Sequence, residues 1–274
     1  MNNALRTRLS KIRAQVRTLL GNQRGFFIQY EFARTVRPVC EPYPEVEALF
    51  ARSPYDDFLN DMASHVAEFQ SFGSRPHDPV WNRGMFPPLD GAAAFAAVRR
   101  FKPRRILEVG SGDSTFYLAR AAAGSAEITC IDPEPRRSIE ELPVNFIRRV
   151  LGNEDAGTVA SLQAGDILFI DSSHIMLPGM DVDILFNRCF PRLRPGVLVH
   201  LHDIFLPDGY PANWRERNWN EQNALVGWLL SEFFEVVYPG HYVAVRHGGA
   251  IDKAFAGFPV AQRKDSGSLW LRKR

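Results

Sequence analysis

The sequence predicts an α/β fold built on a doubly wound, mostly parallel sheet of seven strands, with a helical extension at its N-terminus. Short apolar segments alternate with helical segments from about residue 90 onward. Such alternation requires right-handed crossovers, which give a parallel sheet covered by helices on both faces. A glycine turn follows the first apolar segment, and polar residues end four of these segments. Ligands are therefore expected at the carboxyl edge of the sheet.

Length and composition fit one large core, or a core with a small companion domain. The chain has 274 residues, of which 45% are hydrophobic. Its net charge of +2 gives no argument for an extended nucleic-acid footprint, so no nucleic-acid partner is expected. Cys40, Cys130 and Cys189 are far apart and are expected to be reduced, mostly buried thiols. With no long apolar run and no secretory signal, a cytoplasmic location is the default expectation.

The first twenty residues predict a basic amphipathic helix. Arginines and a lysine surround one apolar face, which is formed by Leu5, Leu9, Ile12, Val16, Leu19 and Leu20. This pattern favours docking on the chain's own domain or on a second subunit, with the aromatic run at 26–30 as a contact. Attachment to a membrane surface and a transit peptide are the less favoured alternatives. A homo-oligomer and a membrane contact both stay open.

Residues 1–88 are predicted to form a helical extension or cap, and residues 89–274 to form the ligand-binding domain. The sequence between residues 36 and 88 is rich in proline and aromatic residues, with one convincing helix at about 56–69. Asp90 then precedes an alanine-rich stretch, and it is expected to cap a helix that ends before Pro103.

The segment at 104–115 predicts a strand, a turn and a helix in that order. Its apolar residues at 106–109 suit a buried strand. Gly110 and Gly112 have no side chain, so they permit backbone angles, and a close approach of a ligand to the backbone, that other residues do not allow. Ser114 is expected to cap a helix that begins near Thr115.

A second strand at about 128–131 ends at Asp132, twenty residues after Gly112. In a doubly wound sheet, an acid at this place holds the diol of a ribose. A dinucleotide fingerprint would have a third glycine three residues after the second, and this chain has Thr115 there. Pyrophosphate binding is therefore disfavoured.

Five further strands are predicted at about 145–149, 166–170, 197–202, 234–238 and 268–272. Helices are predicted at about 155–162, 180–190 and 220–233, and the segment at 239–265 would be an insertion near the site or at a sheet edge. Asp171 and His174 follow the fourth strand, and His202 and Asp203 end the fifth. Because the carboxyl ends of parallel strands meet at one edge, these side chains are expected in one site with Glu108 and Asp132.

The motif Glu-x-Gly-x-Gly at 108–112 resembles the first motif of class I S-adenosylmethionine-dependent methyltransferases, a Rossmann-like family. The blocks Phe-Ile-Asp-Ser-Ser-His at 169–174 and His-Asp-Ile-Phe-Leu-Pro at 202–207 look like those of a bacterial subgroup, and the resemblance covers about residues 90–270. It implies a reversed hairpin at the end of the sheet and S-adenosyl-L-methionine as the cofactor. The implied cofactor-binding residues are Glu108, Gly110, Ser111, Gly112, Ser114, Thr115, Asp132 and Asp171.

Methyl transfer places a nucleophile about 3 Å from the methyl group and removes the proton of that nucleophile. In one route, His174 or His202 is the base. In the other, a divalent cation held by Asp171, His202 and Asp203 lowers the pKa of an acceptor hydroxyl. Similarity to catechol-type O-methyltransferases, which bind magnesium at these two strand ends, implies the second route. Histidine is a poor magnesium ligand, so magnesium, a borderline metal and no metal all stay open.

The predicted function is therefore O-methylation of a small-molecule or saccharide acceptor. Trp214 and Trp219 flank a loop that could stack on this acceptor or simply anchor the next helix, from which Glu221 could reach the site. One alternative is an NAD(P)-dependent oxidoreductase or epimerase, which Thr115 and the absence of a Tyr-x-x-x-Lys pair disfavour. The other is a non-catalytic, cofactor-binding interaction protein, which the polar groups at four strand ends disfavour.

Overall fold

The computed structural model describes residues 3–26, 28–36, 41–81, 86–258, 260 and 265–274, with the backbone alone at 3–8 and 215–216. The chain divides into two compact units, residues 1–40 with 210–218 and residues 41–209 with 219–274. Cys130 and Cys189 are buried free thiols, as predicted. Cys40 lies outside the described residues.

The first unit contains the predicted N-terminal helix, α1 (Asn3–Leu19), and short 3-10 helices at Ala33–Thr35 and Ala212–Arg217. Apolar side chains of α1 face solvent, with Ile12 54% and Leu19 87% exposed. The predicted docking of this face on the chain's own domain, a second subunit or a membrane stays a prediction, and Phe27 of the aromatic run lies outside the described residues. Among the helices that the structure describes, none has the length and apolar character needed to cross a bilayer.

The second unit is built on a seven-stranded sheet with the strand order β3-β2-β1-β4-β5-β7-β6. The strands are β1 (Arg105–Val109), β2 (Glu127–Ile131), β3 (Asn145–Ile147), β4 (Ile167–Ile170), β5 (Leu198–Leu201), β6 (Phe234–Pro239) and β7 (Leu269–Lys273). The first five strands pair in parallel, and β7 is antiparallel to both β5 and β6. The predicted doubly wound sheet and its reversed end are confirmed.

The helices predicted for this unit are present, with two differences in detail, and the unit also has helices that were not predicted from the sequence. They are α2 (Pro44–Phe50), α3 (Tyr55–Ser64), α4 (Val66–Phe69), α5 (Pro88–Phe101), α6 (Asp113–Ala122), α7 (Ala156–Ala160), α8 (Asp181–Ile184), α9 (Glu221–Leu230), α10 (Gly240–Arg246) and α11 (Gly248–Ala254). The helix expected at 56–69 is interrupted at His65, and α8 continues as a wider π turn at Leu185–Cys189. The segment at 239–265 contributes α10 and α11.

Helices α2, α3 and α4 share the hydrophobic core of the sheet. Val46 of α2, Phe58 of α3 and Phe69 of α4 are buried in the same cluster as Leu107 and Leu168 of the central strands. The predicted domain boundary between residues 88 and 89 stays a prediction. Burial of these apolar side chains ties α2–α4 to the sheet that positions the site.

Two predicted helix caps are wrong. Helix α5 begins at Pro88, two residues before Asp90, because proline suits the first turn of a helix, where its missing N–H costs nothing. Helix α6 begins at Asp113, so Ser114 lies inside its first turn. Both polar side chains instead form contacts with distant parts of the chain.

Candidate active site

The site lies where the parallel strands β1, β2, β4 and β5 end, at the edge where a doubly wound sheet binds its ligands. The loop after β1 and the end of β4 are in direct contact there. Gly110 has a positive φ of 81°, and a Cβ at this position would overlap the carbonyl oxygen of Asp171. A glycine is therefore required for the two strand ends to approach each other.

Glu108 lies beneath the glycine loop, with no exposed surface. Its carboxylate accepts hydrogen bonds from Ser114 Oγ at 2.6 Å, Thr115 Oγ1 at 2.7 Å and Cys130 Sγ at 3.2 Å. The Thr115 hydroxyl in turn accepts the backbone N–H of Gly112 at 3.1 Å. Burial raises the pKa of Glu108 to about 7, although these hydrogen bonds oppose the rise. Glu108 thus fastens the first turn of α6 and the loop to β1.

Asp132 closes the other side of the loop. Its Oδ2 accepts the backbone N–H of Ser111 at 2.6 Å and the Ser111 hydroxyl at 3.1 Å, and its Oδ1 accepts the N–H of Glu134 at 2.7 Å. The side chain is 8% exposed and borders a cavity. These backbone contacts fix the orientation in which the carboxylate meets a ligand.

A cavity of about 440 Å³ opens over the glycine loop. Of the predicted cofactor residues, those that line it are Gly110, Ser111, Gly112, Ser114, Asp132 and Asp171. Glu108 and Thr115 do not line it and act from behind the loop. Phe86, which sequence reasoning did not identify, also contributes to the wall of this cavity.

A second group of polar side chains lies at the ends of β4 and β5; we name Asp171, His174, His202 and Asp203 the histidine–aspartate cluster. His174 Nε2 is 3.4 Å from Asp171 Oδ1 and 3.5 Å from Asp203 Oδ2. His202 Nδ1 is 3.5 Å from Asp171 Oδ1 and 3.5 Å from Asp203 Oδ1. The sequence correctly placed all four side chains together.

Two members of the cluster have left-handed backbone conformations. The φ angle is 60° at His174 and 57° at Asp203, a region that side chains with a Cβ rarely adopt. Such conformations persist only where the surrounding structure enforces them, and they concentrate at functional sites. The strand ends are thus shaped to aim these side chains inward.

His174 is held by a carboxylate on the far side of its ring. Its Nδ1 donates to Glu221 Oε2 of α9 at 2.9 Å, and both side chains are buried. Burial acts to lower the pKa of His174, but the hydrogen bonds to Asp171 and Glu221 outweigh it and raise this pKa to about 10. Trp219 packs against the ring at 4.2 Å between centroids, so it lies beside the cluster, and its stacking on an acceptor stays a prediction.

His202 also has a strongly shifted pKa. Burial opposes the charged imidazole, yet the charges of Asp171 and Asp203 raise the pKa of His202 well above its ordinary value. The pKa of Asp171 lies well below its ordinary range, because His202 and His174 outweigh the effect of burial. The two imidazoles thus compensate the charge of Asp171, whereas burial outweighs them at Asp203 and raises the pKa of that carboxyl. A divalent ion between these groups would take the place of the protons on the imidazoles.

The geometry and donor chemistry fit such a cation. Asp171, His202 and Asp203 each offer one ligand atom, and these atoms lie within 4.8 Å of one another. His202 Nδ1 is buried without a hydrogen-bond partner. Two carboxylates and one imidazole suit a borderline ion such as Mn²⁺ or Co²⁺ better than Mg²⁺.

Sequence reasoning missed the contact that holds His202 from behind. His202 Nε2 donates to Asp90 of α5 at 3.1 Å, and Asp90 is fully buried. Asp90 was visible only as an acid at the start of an alanine-rich helix. No local pattern connects it with a strand end 112 residues later.

Part of the chain is similar to a known family of domains. Residues 107–204 match the family model of a methyltransferase domain. None of the curated proteins compared with the chain is significantly similar in sequence.

Several solved structures are similar to the chain at low sequence identity. A methyltransferase from Geobacter sulfurreducens is 17% identical, with a TM-score of 0.38, covering 83% of this chain and 94% of that one. The O-methyltransferase TomG from Streptomyces achromogenes, solved with SAM, is 19% identical, with a TM-score of 0.34 and coverage of 81% and 91%. MycE from the mycinamycin pathway, solved with Mg, SAH and mycinamycin VI, is 19% identical, with a TM-score of 0.39 and coverage of 81% and 56%.

Proposed function

We propose that this chain is a methyltransferase that uses S-adenosylmethionine and transfers its methyl group to a hydroxyl oxygen of a small-molecule or saccharide acceptor. One observation carries the proposal. Asp171 borders the cavity over the glycine loop and is at the same time a member of the histidine–aspartate cluster. A methyl donor in the cavity and a hydroxyl at the cluster would therefore meet at a single carboxylate.

The cavity provides the contacts that a nucleoside-type donor requires. Asp132 faces it with a carboxylate whose orientation two backbone N–H groups fix, as the ribose diol requires. The backbone of Gly110 and Gly112 leaves room for the methionine part of the donor. Asp132 and the glycine loop are therefore the parts of the chain that would hold the donor, beside Asp171.

Asp171, His202 and Asp203 are the residues that would hold a divalent cation. Such a cation lowers the pKa of a bound hydroxyl and fixes its oxygen, which is the chemistry that O-methylation requires at neutral pH. The position of His202 Nδ1 supports this assignment, because it lies 3.5 Å from Asp171 and from Asp203 and is buried without a hydrogen-bond partner, which costs free energy that a bound cation would recover.

His174 is the residue that would take the acceptor proton. Its Nδ1 is engaged by Glu221, so Nε2 is the nitrogen that faces the site. As the oxygen forms a bond to the methyl carbon, the carbon–sulfur bond breaks and S-adenosylhomocysteine leaves with the electron pair. The proton of the hydroxyl passes to His174 Nε2, and Glu221 stabilises the resulting imidazolium.

The aromatic ring beside His174 indicates what kind of acceptor fits. Trp219 is partly buried and packs on the His174 ring, so it forms a flat apolar wall next to the proposed base. Sugars and aromatic rings both stack on such a wall. The acceptor is therefore expected to carry its hydroxyl on a ring.

Calorimetric titration with S-adenosylhomocysteine and with NADP⁺ tests the donor class. The wild-type protein should bind only S-adenosylhomocysteine, and Asp132→Ala should bind it about 10- to 100-fold more weakly, as expected when a hydrogen-bonded charged group is lost. Asp166→Asn, at the opposite end of β4, should bind it normally. Saturable binding of NADP⁺ alone would overturn the proposal.

A second assay tests the reaction itself. Labelled S-adenosylmethionine is incubated with catechol-like and saccharide acceptors, with Mn²⁺ or with EDTA, and the position of the label is read by mass spectrometry. O-methylated product that depends on the cation is expected. Full activity in EDTA would remove the cation from the proposal, and labelling of nitrogen or carbon would remove the oxygen acceptor.

A further inference from the structure

Asp90 is a buried carboxylate in an otherwise apolar helix. It lies in the first turn of α5, with no exposed surface, and the residues of α5 from Pro88 to Val98 are all buried. Burial of an ionisable group at such a place is costly unless donors compensate it. The alanine-rich core around α5 would accept an apolar residue here at no such cost.

Four donors surround this carboxylate. Oδ2 accepts His202 Nε2 at 3.1 Å and the backbone N–H of Gly267 at 3.0 Å. Oδ1 accepts the Ser266 hydroxyl and, at 3.3 Å, the N–H of Ser268. Because every contact is a donor to Asp90, the side chain acts as an acceptor on both oxygens. The segment at 266–268 thus fixes the carboxylate, and the carboxylate fixes the imidazole.

The contact determines which face His202 presents to the site. With a proton on Nε2 engaged by Asp90, Nδ1 is the nitrogen directed at Asp171 and Asp203, 3.5 Å from each. Phe86 stacks on the same ring, with centroids 4.7 Å apart and planes inclined by 27°. The ring can therefore neither rotate nor exchange its two nitrogens without breaking the contact with Asp90.

The segment that holds Asp90 is also in contact with the cluster. A Cβ on Gly267 would lie 2.9 Å from Cα of Asp203, so this position has no room for a side chain. The close approach places the backbone N–H of Gly267 on Asp90 and its Cα against Asp203. One short loop before β7 thereby sets the position of two members of the cluster.

We propose that Asp90 is a positioning residue that fixes the tautomer and orientation of His202, so that Nδ1 binds a divalent cation together with Asp171 and Asp203. This inference rests on the cation site of the proposed function. A carboxylate behind a metal-bound imidazole orients the ring and increases its basicity, and loss of such a partner weakens metal binding about 10- to 100-fold. Asp90 does not contact the cation, the methyl donor or the acceptor.

Calorimetric titration of the 274-residue chain with MnCl₂ tests the proposal without a turnover assay. Asp90→Asn keeps the size of the side chain and removes its charge, and it should weaken Mn²⁺ binding about tenfold, whereas Asp90→Ala should weaken it toward 100-fold. Affinity for S-adenosylhomocysteine should stay within twofold of wild type in both. Asp171→Asn, which removes a ligand, should abolish detectable Mn²⁺ binding.

Asp166→Asn is the matched control for a purely structural effect. Asp166 is also a buried carboxylate, and it accepts the backbone N–H groups of Arg105 at 2.9 Å and Gln163 at 2.8 Å. This variant should lose thermal stability and keep wild-type Mn²⁺ affinity. If Asp90→Asn behaves in the same way, the positioning role is overturned while the cation site stands.

A spectroscopic measurement separates a reoriented ligand from a loosened fold. Co²⁺ bound to the wild-type protein should show visible absorption bands that shift when its nitrogen ligand is lost, and Asp90→Asn should shift them toward those of His202→Ala. Ser266→Ala, which removes one donor to Asp90, should weaken Mn²⁺ binding a few-fold. Unshifted bands in Asp90→Asn would overturn the proposal, and absence of Mn²⁺ binding by the wild type would overturn this inference together with the cation site.

Discussion

The two halves of the site treat their polar groups in opposite ways. In the cofactor half, formed by the ends of β1 and β2, the carboxylates of Glu108 and Asp132 are engaged by hydroxyl, thiol and backbone donors of the chain itself. In the acceptor half, formed by the ends of β4 and β5 with α9, two described and buried side-chain atoms, His202 Nδ1 and Glu221 Oε1, have no hydrogen-bond partner.

We infer from this difference that the chain itself satisfies the polar groups of the cofactor half and that a ligand satisfies those of the acceptor half. A satisfied network is rigid and keeps its shape without a ligand, which suits a cradle that admits and releases the donor in every cycle. Unpartnered buried atoms cost free energy, and a cation or an acceptor would recover that cost on binding. The comparison predicts that variants in the two halves will have different signatures.

Asp171→Asn should give the largest effect, because Asp171 is shared by both halves. We expect loss of Mn²⁺ binding and a fall in kcat of about 10³-fold, a loss of several kcal/mol of transition-state stabilisation. Affinity for S-adenosylhomocysteine should change far less, because the contact with Gly110 is made by the Asp171 carbonyl. Steady-state kinetics measures kcat, and calorimetric titrations with Mn²⁺ and with S-adenosylhomocysteine measure the two affinities. A larger loss in donor affinity than in kcat would break the distinction between the halves.

His174→Gln should lower kcat about 10²- to 10³-fold, as expected when a general base is lost. Asp171 and Glu221 raise the pKa of His174 to about 10. Without a bound cation, little of the neutral imidazole that acts as the base is therefore present at neutral pH. Added Mn²⁺ should therefore shift the alkaline rise of the wild-type rate toward lower pH. Glu221→Gln should lower kcat by less than His174→Gln and leave the KM for the donor unchanged. A pH profile of the rate that Mn²⁺ does not shift would contradict the role of His174 as the base.

Glu108→Gln should give the smallest effect, and on stability rather than on turnover. Burial raises the pKa of Glu108 to about 7 from its ordinary 4.5, so its contribution is complete below pH 4.5 and is lost as the pH rises through 7. The wild-type protein should lose up to about 3 kcal/mol, or several degrees in Tm, between pH 5 and pH 8. Calorimetric scans of Glu108→Gln should show a flatter dependence, and equal slopes in both proteins would contradict the buried position of this carboxyl.

The strands along the chain, and the polar side chains that meet at their carboxyl ends, could be predicted from the sequence. A buried parallel strand is a short apolar run, and an acid directly after it marks the edge at which ligands bind, so Asp132, Asp171 and Asp203 were found. The reversed end of the sheet came from resemblance, since periodicity gives no strand direction. The structure confirms that β7 is antiparallel to its neighbours.

Contacts between segments that are distant along the chain could not be predicted from the sequence. Glu108 was expected to face the cofactor, but the hydroxyls of Ser114 and Thr115 engage it beneath the loop. Asp90 was taken for a helix cap because its partners lie 112 to 178 residues away. Local patterns describe a helix start, and they carry no information about what packs against it in the folded chain.

The contact between Asp90 and the segment at 266–268 also has a kinetic consequence. It joins residues up to 178 positions apart. Closing so long a loop costs conformational entropy, which is offset only when most of the contacts within the sheet have formed. We expect cation affinity to arise in one of the last steps of folding, after β7 has paired with β5. Time-resolved uptake of Mn²⁺ during refolding would then report the arrival of the native state, and partly folded chains would not compete for the ion.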